Sequence, residues 1–126
     1  MPVTAQPLIA VSDVEASSAW YCRLLGCTSG HGGPEYERIM AGDEFVLQLH
    51  AWNDEHAHLG EPASRPYGNG ALLWFRVDNF GAACDRASAL RAEVLEGPLE
   101  NPRAHQQELW LRDPDGYVVV LASTPE

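Results

Sequence analysis

The sequence predicts an α+β fold built from two β-α-β-β-β modules within one domain of 126 residues. Three observations carry that prediction. The two halves match each other at fixed offsets of 66 or 72 residues. Each half opens on a short apolar strand that turns through a capping residue into an amphipathic helix. Each half also closes on a tight turn followed by a strand of β-branched, aromatic and aliphatic residues. A repeat is the first thing to look for, because each copy reports on the other.

In the first half, "LIAVSDVEASSAWYCRLLG" reads as strand then helix. Ser12 and Glu15 have the spacing of a capping box, in which the hydroxyl accepts from the backbone and the carboxylate reaches back. Val14, Tyr21, Leu24 and Leu25 recur at helical spacing, and Gly26 is placed to end the helix. Tyr36 to Ala41 reads as a strand entering the "AGDE" turn, and "DEFVLQL" returns from it. The segment Asn53 to Gly70, rich in Gly, Pro and polar residues, is expected to be a linker.

The second half repeats the plan in "LLWFRVDNFGAACDRASALRAEV". Asp78 or Asn79 is the expected cap, and Phe80, Ala83, Ala87 and Leu90 follow along one helix face. Glu108 to Arg112 enters the "DPDG" turn, where Pro and Gly supply the φ values a tight turn requires. "DGYVVVL" closes the module. Val11 matches Val77, Asp13 matches Asn79 and Leu24 matches Leu90 at the shorter offset, whereas "DEFVLQL" lies over "DGYVVVL" at the longer one. The middle of the second copy is therefore six residues longer. The modules are expected at about 4–52 and 71–123, joined by about 53–70.

Bulk properties exclude several classes. No apolar run approaches the roughly 18 residues of a membrane span. The opening "MPVTAQPLIAVSD" lacks the basic and long apolar regions of a secretory leader, so a cytoplasmic protein is expected. Cys22, Cys27 and Cys84 are odd in number and lack paired spacing, which fits reduced thiols. A formal charge of −10 argues against a nucleic-acid partner, which needs clustered Lys and Arg. By long-range attraction it favours a cationic ligand. The glycine-rich "SGHGGPE" around His31 lacks the lysine of a P-loop, and no nucleophile-elbow motif is present.

The paired modules, the corner "VSDV" with its counterpart "VDNF", the helix end "LLGC" and the turn "LRDPDGY" resemble the vicinal oxygen chelate superfamily. Glyoxalase I, extradiol dioxygenases, fosfomycin-modifying enzymes and bleomycin-resistance proteins belong to it. The resemblance runs from about Gln6 to Ser123. It implies curved sheet around a cavity and a homodimer. In the family's enzymes one residue from the first and one from the last strand of each module hold a divalent metal, and the matching positions here are Gln6, Gln48, Leu72 and Val120.

Leu72 and Val120 have no donor atom, and two neutral amides do not replace imidazole and carboxylate ligands. The resemblance is therefore closest to the metal-free, bleomycin-resistance-type branch, with no metal and no cofactor expected. Strand alternation places Trp74 and Arg76 with Leu72, and His50 with Gln48. The expected ligand-binding set is Gln6, Gln48, His50, Leu72, Trp74, Arg76, Gln107 and Val120. Its aromatic and apolar character suits a flat organic ligand, with the polar members fixing orientation. The competing enzyme reading is a lyase or dioxygenase whose metal has moved to His50 with Gln6 and Glu55 or Glu108. A third reading is an accessory subunit with a vestigial cavity. His56 and His58 fall in the linker, and His105 is within reach of a ligand from a loop.

Overall fold

The computed structural model describes residues 3–53 and 58–125, in two compact units that divide between Ser64 and Arg65. The first unit runs β1 (Leu8–Val11), α1 (Val14–Leu25), β2 (Thr28–Ser29), β3 (Tyr36–Ala41) and β4 (Glu44–Ala51). Its sheet has the order β1-β4-β3-β2, with β1 parallel to β4 and the other pairs antiparallel. The second unit runs β5 (Leu72–Arg76), α2 (Phe80–Ala89), β6 (Glu93–Asn101), β7 (Gln106–Arg112) and β8 (Val118–Ala122). Its order, β5-β8-β7-β6, is the same topology. The expected α+β architecture of two β-α-β-β-β modules is the observed one.

The repeat offsets persist in the strand register. Leu8 lies opposite Gln48, and Arg38 lies opposite Gln48 on its other side. In the second unit Trp74 and Trp110 flank Val120 in the same way. Register is what a half-buried sheet specifies most strongly, because a one-residue slip would exchange its two faces.

Helix α1 follows from its apolar spacing and its two caps. Val14, Tyr21 and Leu24 are fully buried, together with Val11, Ile39, Leu47 and Leu49 of the sheet. The N-cap is Asp13, whose carboxylate accepts from Ala16 N at 2.9 Å. Ser12, the expected cap, lies one residue too early. The same geometry recurs 66 residues on, where Asn79 accepts from Ala82 N at 3.0 Å. Gly26 ends α1 in the left-handed conformation, φ 67°, which costs a residue with a Cβ more than it costs glycine. Asp13→Ala is expected to cost about 1 kcal/mol, read as a lower urea midpoint with an unchanged slope.

In the second unit Ala83 and Ala87 of α2 are buried, as are Leu109, Leu111, Val119 and Leu121 of the sheet. The expected linker divides. Arg65 to Gly70 belongs to the second unit, where Tyr67 is 7% exposed and its ring lies 5.5 Å from that of Tyr117. The Arg65 guanidinium stacks 3.8 Å above Tyr67 and faces Asp115 at 3.9 Å. These contacts anchor a stretch whose Gly/Pro-rich composition reads as a loop. The length difference between the copies resides between helix and hairpin. There β2 has two residues and β6 has nine, with two register shifts against β7. Among the described residues, no helix is long and apolar enough to cross a membrane.

Candidate functional site

Each sheet has one face on its helix and one turned away from it, and alternation assigns every strand residue to one of the two. In the first unit Ile39, Leu47 and Leu49 take the helix side. Tyr36, Arg38, Gln48 and His50, all half-buried, take the other. Tyr36 Oη donates to Gln48 Oε1 at 2.6 Å, and Gln48 Nε2 donates to the Gln6 carbonyl at 2.9 Å. Gln6 precedes β1 and is exposed. Its backbone oxygen, rather than its side chain, makes this contact. The Tyr36 ring meets His31 and His50 edge-on, at 5.1 and 6.1 Å between centroids. His50 Nδ1 donates to the Ala51 carbonyl at 2.7 Å.

Glu37 is a residue that sequence reasoning missed. It is 2% exposed, on the helix side. Five groups donate to its carboxylate: Ser18 Oγ at 2.8 Å, Ser29 Oγ at 2.6 Å, and the backbone N–H groups of His31, Gly32 and Arg38 at 2.9 to 3.0 Å. Burial pushes its pKa up. The bonds from Ser29, Gly32, Ser18 and His31 outweigh burial and hold it at about 2, below the ordinary 4.5. The carboxylate thereby ties α1, β2 and the glycine-rich loop to one point. The repeat carried the signal, because Glu37 lies 72 residues before Leu109 and both pair on the helix side of their sheets. A carboxylate in a core position requires donors, and "SGHGGPE" immediately precedes it.

In the second unit the face turned away from α2 carries Leu72 at 41% and Trp74 at 45% exposure, with fully buried Val120 between Trp74 and half-buried Trp110. Arg76 is exposed on the same face. Glu108, 3% exposed, accepts from Trp110 Nε1 at 2.9 Å and from Asn101 Nδ2 at 2.8 Å. Burial again acts against ionisation, and donors from Asn101, Trp110 and Gln106 again prevail, so its pKa is lowered.

Gln107 does not join Val120. Trp110, paired with Val120, fixes the parity, so Gln106 and Glu108 share that face and Gln107 points the other way. Exposed Gln107, whose backbone N–H donates to Ser123 Oγ at 2.8 Å, lines a polar groove of about 380 Å³ with Gln106, His105, Asp78 and Ser123.

The four family metal positions do not fit a divalent ion. Leu72 and Val120 offer no lone pair, and the Gln48 amide oxygen already accepts from Tyr36. Among the described residues, no three His, Cys, Asp or Glu side chains come close enough to hold a metal. For the displaced set built on His50, Glu55 lies outside the described residues. Both oxygens of Glu108 accept bonds within its own module.

Two repeated mixed sheets, each backed by one helix, with aromatic and amide residues on the other face, define a small α+β protein of the duplicated β-α-β-β-β type. The chain belongs to the glyoxalase/bleomycin resistance protein/dioxygenase superfamily, whose family model matches residues 4–121. Solved structures share the fold at low identity. A glyoxalase-related enzyme from Fulvimarina pelagi is 19% identical with TM-score 0.74, over 98% of this chain and 89% of that one. A glyoxalase/bleomycin resistance protein/dioxygenase family enzyme from Burkholderia phytofirmans PsJN is 22% identical with TM-score 0.71, over 94% and 95%. A protein from the mobile metagenome of V. Pseudocholerae is 20% identical with TM-score 0.69, over 100% and 98%. No curated protein matches the chain.

Proposed function

We propose that this superfamily member is a cytoplasmic binding protein that sequesters a flat organic molecule without a metal, in the manner of bleomycin-resistance-type proteins. The observation that carries the proposal is Val120. It stands opposite Trp74 as Gln48 stands opposite Leu8, so its place in the repeat is set by pairing as well as by counting. A fully buried aliphatic side chain there offers a metal no donor atom. Exposed Trp74 beside it offers a stacking surface of the kind organic ligands use.

A titratable group favours the same reading. Glu108, on the face of Val120, is shifted toward remaining ionised, and both of its oxygens are engaged. General acid–base work at neutral pH asks for the opposite, a carboxyl raised toward the working pH. The formal charge of −10 attracts positive charge at long range, and the exposed strip of Leu72 and Trp74 suits burial in a homodimer.

A thermal-shift and fluorescence screen of flat aromatic compounds tests the proposal, run beside turnover assays on a hemithioacetal and a catechol with added metals. Binding without metal and no turnover is the expected result. Metal-dependent turnover would replace the binding reading with the lyase or dioxygenase one.

A further inference from the structure

Arg38, in the first module, holds a buried donor that no acceptor answers among the described residues. It lies on β3 opposite Gln48, on the face that also carries Tyr36 and His50. Its Nε is buried and has no hydrogen-bond partner. Among the described residues, no carboxylate or other acceptor reaches its guanidinium. Arg65 and Arg112 behave differently: the first faces Asp115 at 3.9 Å, and the second faces Glu93 at 3.6 Å and donates to the Gly116 carbonyl at 2.8 Å.

An arginine N–H taken out of water without an acceptor is costly, and each such group calls for a physical reason. The backbone around Arg38 is held firmly. Its N–H donates to Glu37 Oε1 at 2.9 Å, and its carbonyl accepts from Gly30 N at 2.8 Å. A partly desolvated guanidinium with a vacant donor, carried on a firmly held strand, is a receiver for an oxyanion.

We infer that Arg38 is a ligand-binding residue that receives an anionic oxygen group, a carboxylate, sulfonate or phosphate, borne by an aromatic ligand on the face of the first module's sheet that carries Tyr36 and His50. The inference rests on the binding-protein reading and narrows it. The long-range preference for positive charge and this contact act at different distances. Salt screens the first beyond about 8 Å, whereas the second is made at hydrogen-bond range.

The test uses two probes with the same aromatic framework, 8-anilinonaphthalene-1-sulfonate and N-phenyl-1-naphthylamine, which lacks the sulfonate. Each is titrated by fluorescence into the wild type, Arg38→Gln and Arg23→Gln, an exposed arginine of α1 that makes the same change in net charge. Arg38→Gln is expected to weaken the sulfonate probe about tenfold or more and to leave the other within about twofold. Arg23→Gln is expected to leave both within about twofold. Arg38→Gln should not lower the melting temperature, since it removes a buried N–H that has no acceptor.

Equal effects on both probes, no effect on either, or an equal loss in Arg23→Gln would each overturn the role of Arg38. Failure of both probes to bind the wild type would overturn the binding-protein reading itself, and this inference with it.

Discussion

Glu37→Ala is expected to destabilise the protein by about 3 kcal/mol or more, among the largest effects of any single change. The substitution strands two hydroxyls and three backbone N–H groups that now share one carboxylate. A buried donor left without an acceptor costs roughly 1 to 3 kcal/mol, and water entering the vacated space recovers part of the sum. Glu37→Gln keeps the volume but turns an amide N–H₂ toward donors, so it too is expected to be destabilising near neutral pH.

The pH dependence separates charge from shape. The folded pKa of Glu37 is depressed, to about 2 from an ordinary 4.5. Its ionised form therefore stabilises the fold fully above the ordinary value, and that contribution, about 3 kcal/mol by linkage, is lost as pH falls toward 2. Urea melts across this range should show the wild-type advantage over Glu37→Gln shrinking steadily on acidification. A constant gap between the two proteins would show that the carboxylate charge does not carry the stability.

Trp74→Ala is expected to cost binding far more than folding. The side chain is 45% exposed on the face turned away from α2, so truncation leaves no large sealed cavity. An aromatic anchor in a binding site typically carries about 2 kcal/mol or more, which corresponds to roughly thirtyfold in affinity. Leu73→Ala, one residue earlier and on the helix side, should show the reverse: a lower urea midpoint with nearly unchanged affinity. Calorimetric titration of a compound that binds the wild type checks both. Unchanged affinity in Trp74→Ala would remove that tryptophan from the site.

Much of the fold was legible because the duplication left two readings of each element. The hairpin strand Tyr36–Ala41 could be placed from its turn. The pairings of Gln48 and Val120 follow from offsets that the sheets preserve. What escaped has local causes. Ser12 and Asp13 are both good capping residues, and adjacent positions can be ranked only once the first helical turn exists. The extra residues of the second module form part of β6, which is exposed along most of its length and so carries no alternation. Arg65 to Gly70 has the composition of a loop, and its ties to the second unit, Tyr67 on Tyr117 and Arg65 to Asp115, are tertiary contacts.

The sheet faces of the candidate residues were legible in outline and less so in detail. Trp74, Arg76, Gln48, His50 and Val120 occupy the faces that alternation assigns them. Gln107 does not, since Trp110 sets the parity of its strand and puts Gln107 on the opposite face from Val120. Glu37 and Arg38 went unnoticed because a charged residue in a strand ordinarily reads as a solvated one. Here one is buried among donors and the other holds a buried N–H without an acceptor.

Elemental analysis tests metal independence most directly. Untagged protein would be expressed with added iron, nickel, zinc and manganese, and purified without chelator. Leu72 and Val120 predict far less than one equivalent of any metal per chain. Near one equivalent, retained on dialysis and lost with His50→Ala, would contradict the binding-protein reading and put a displaced metal centre in its place.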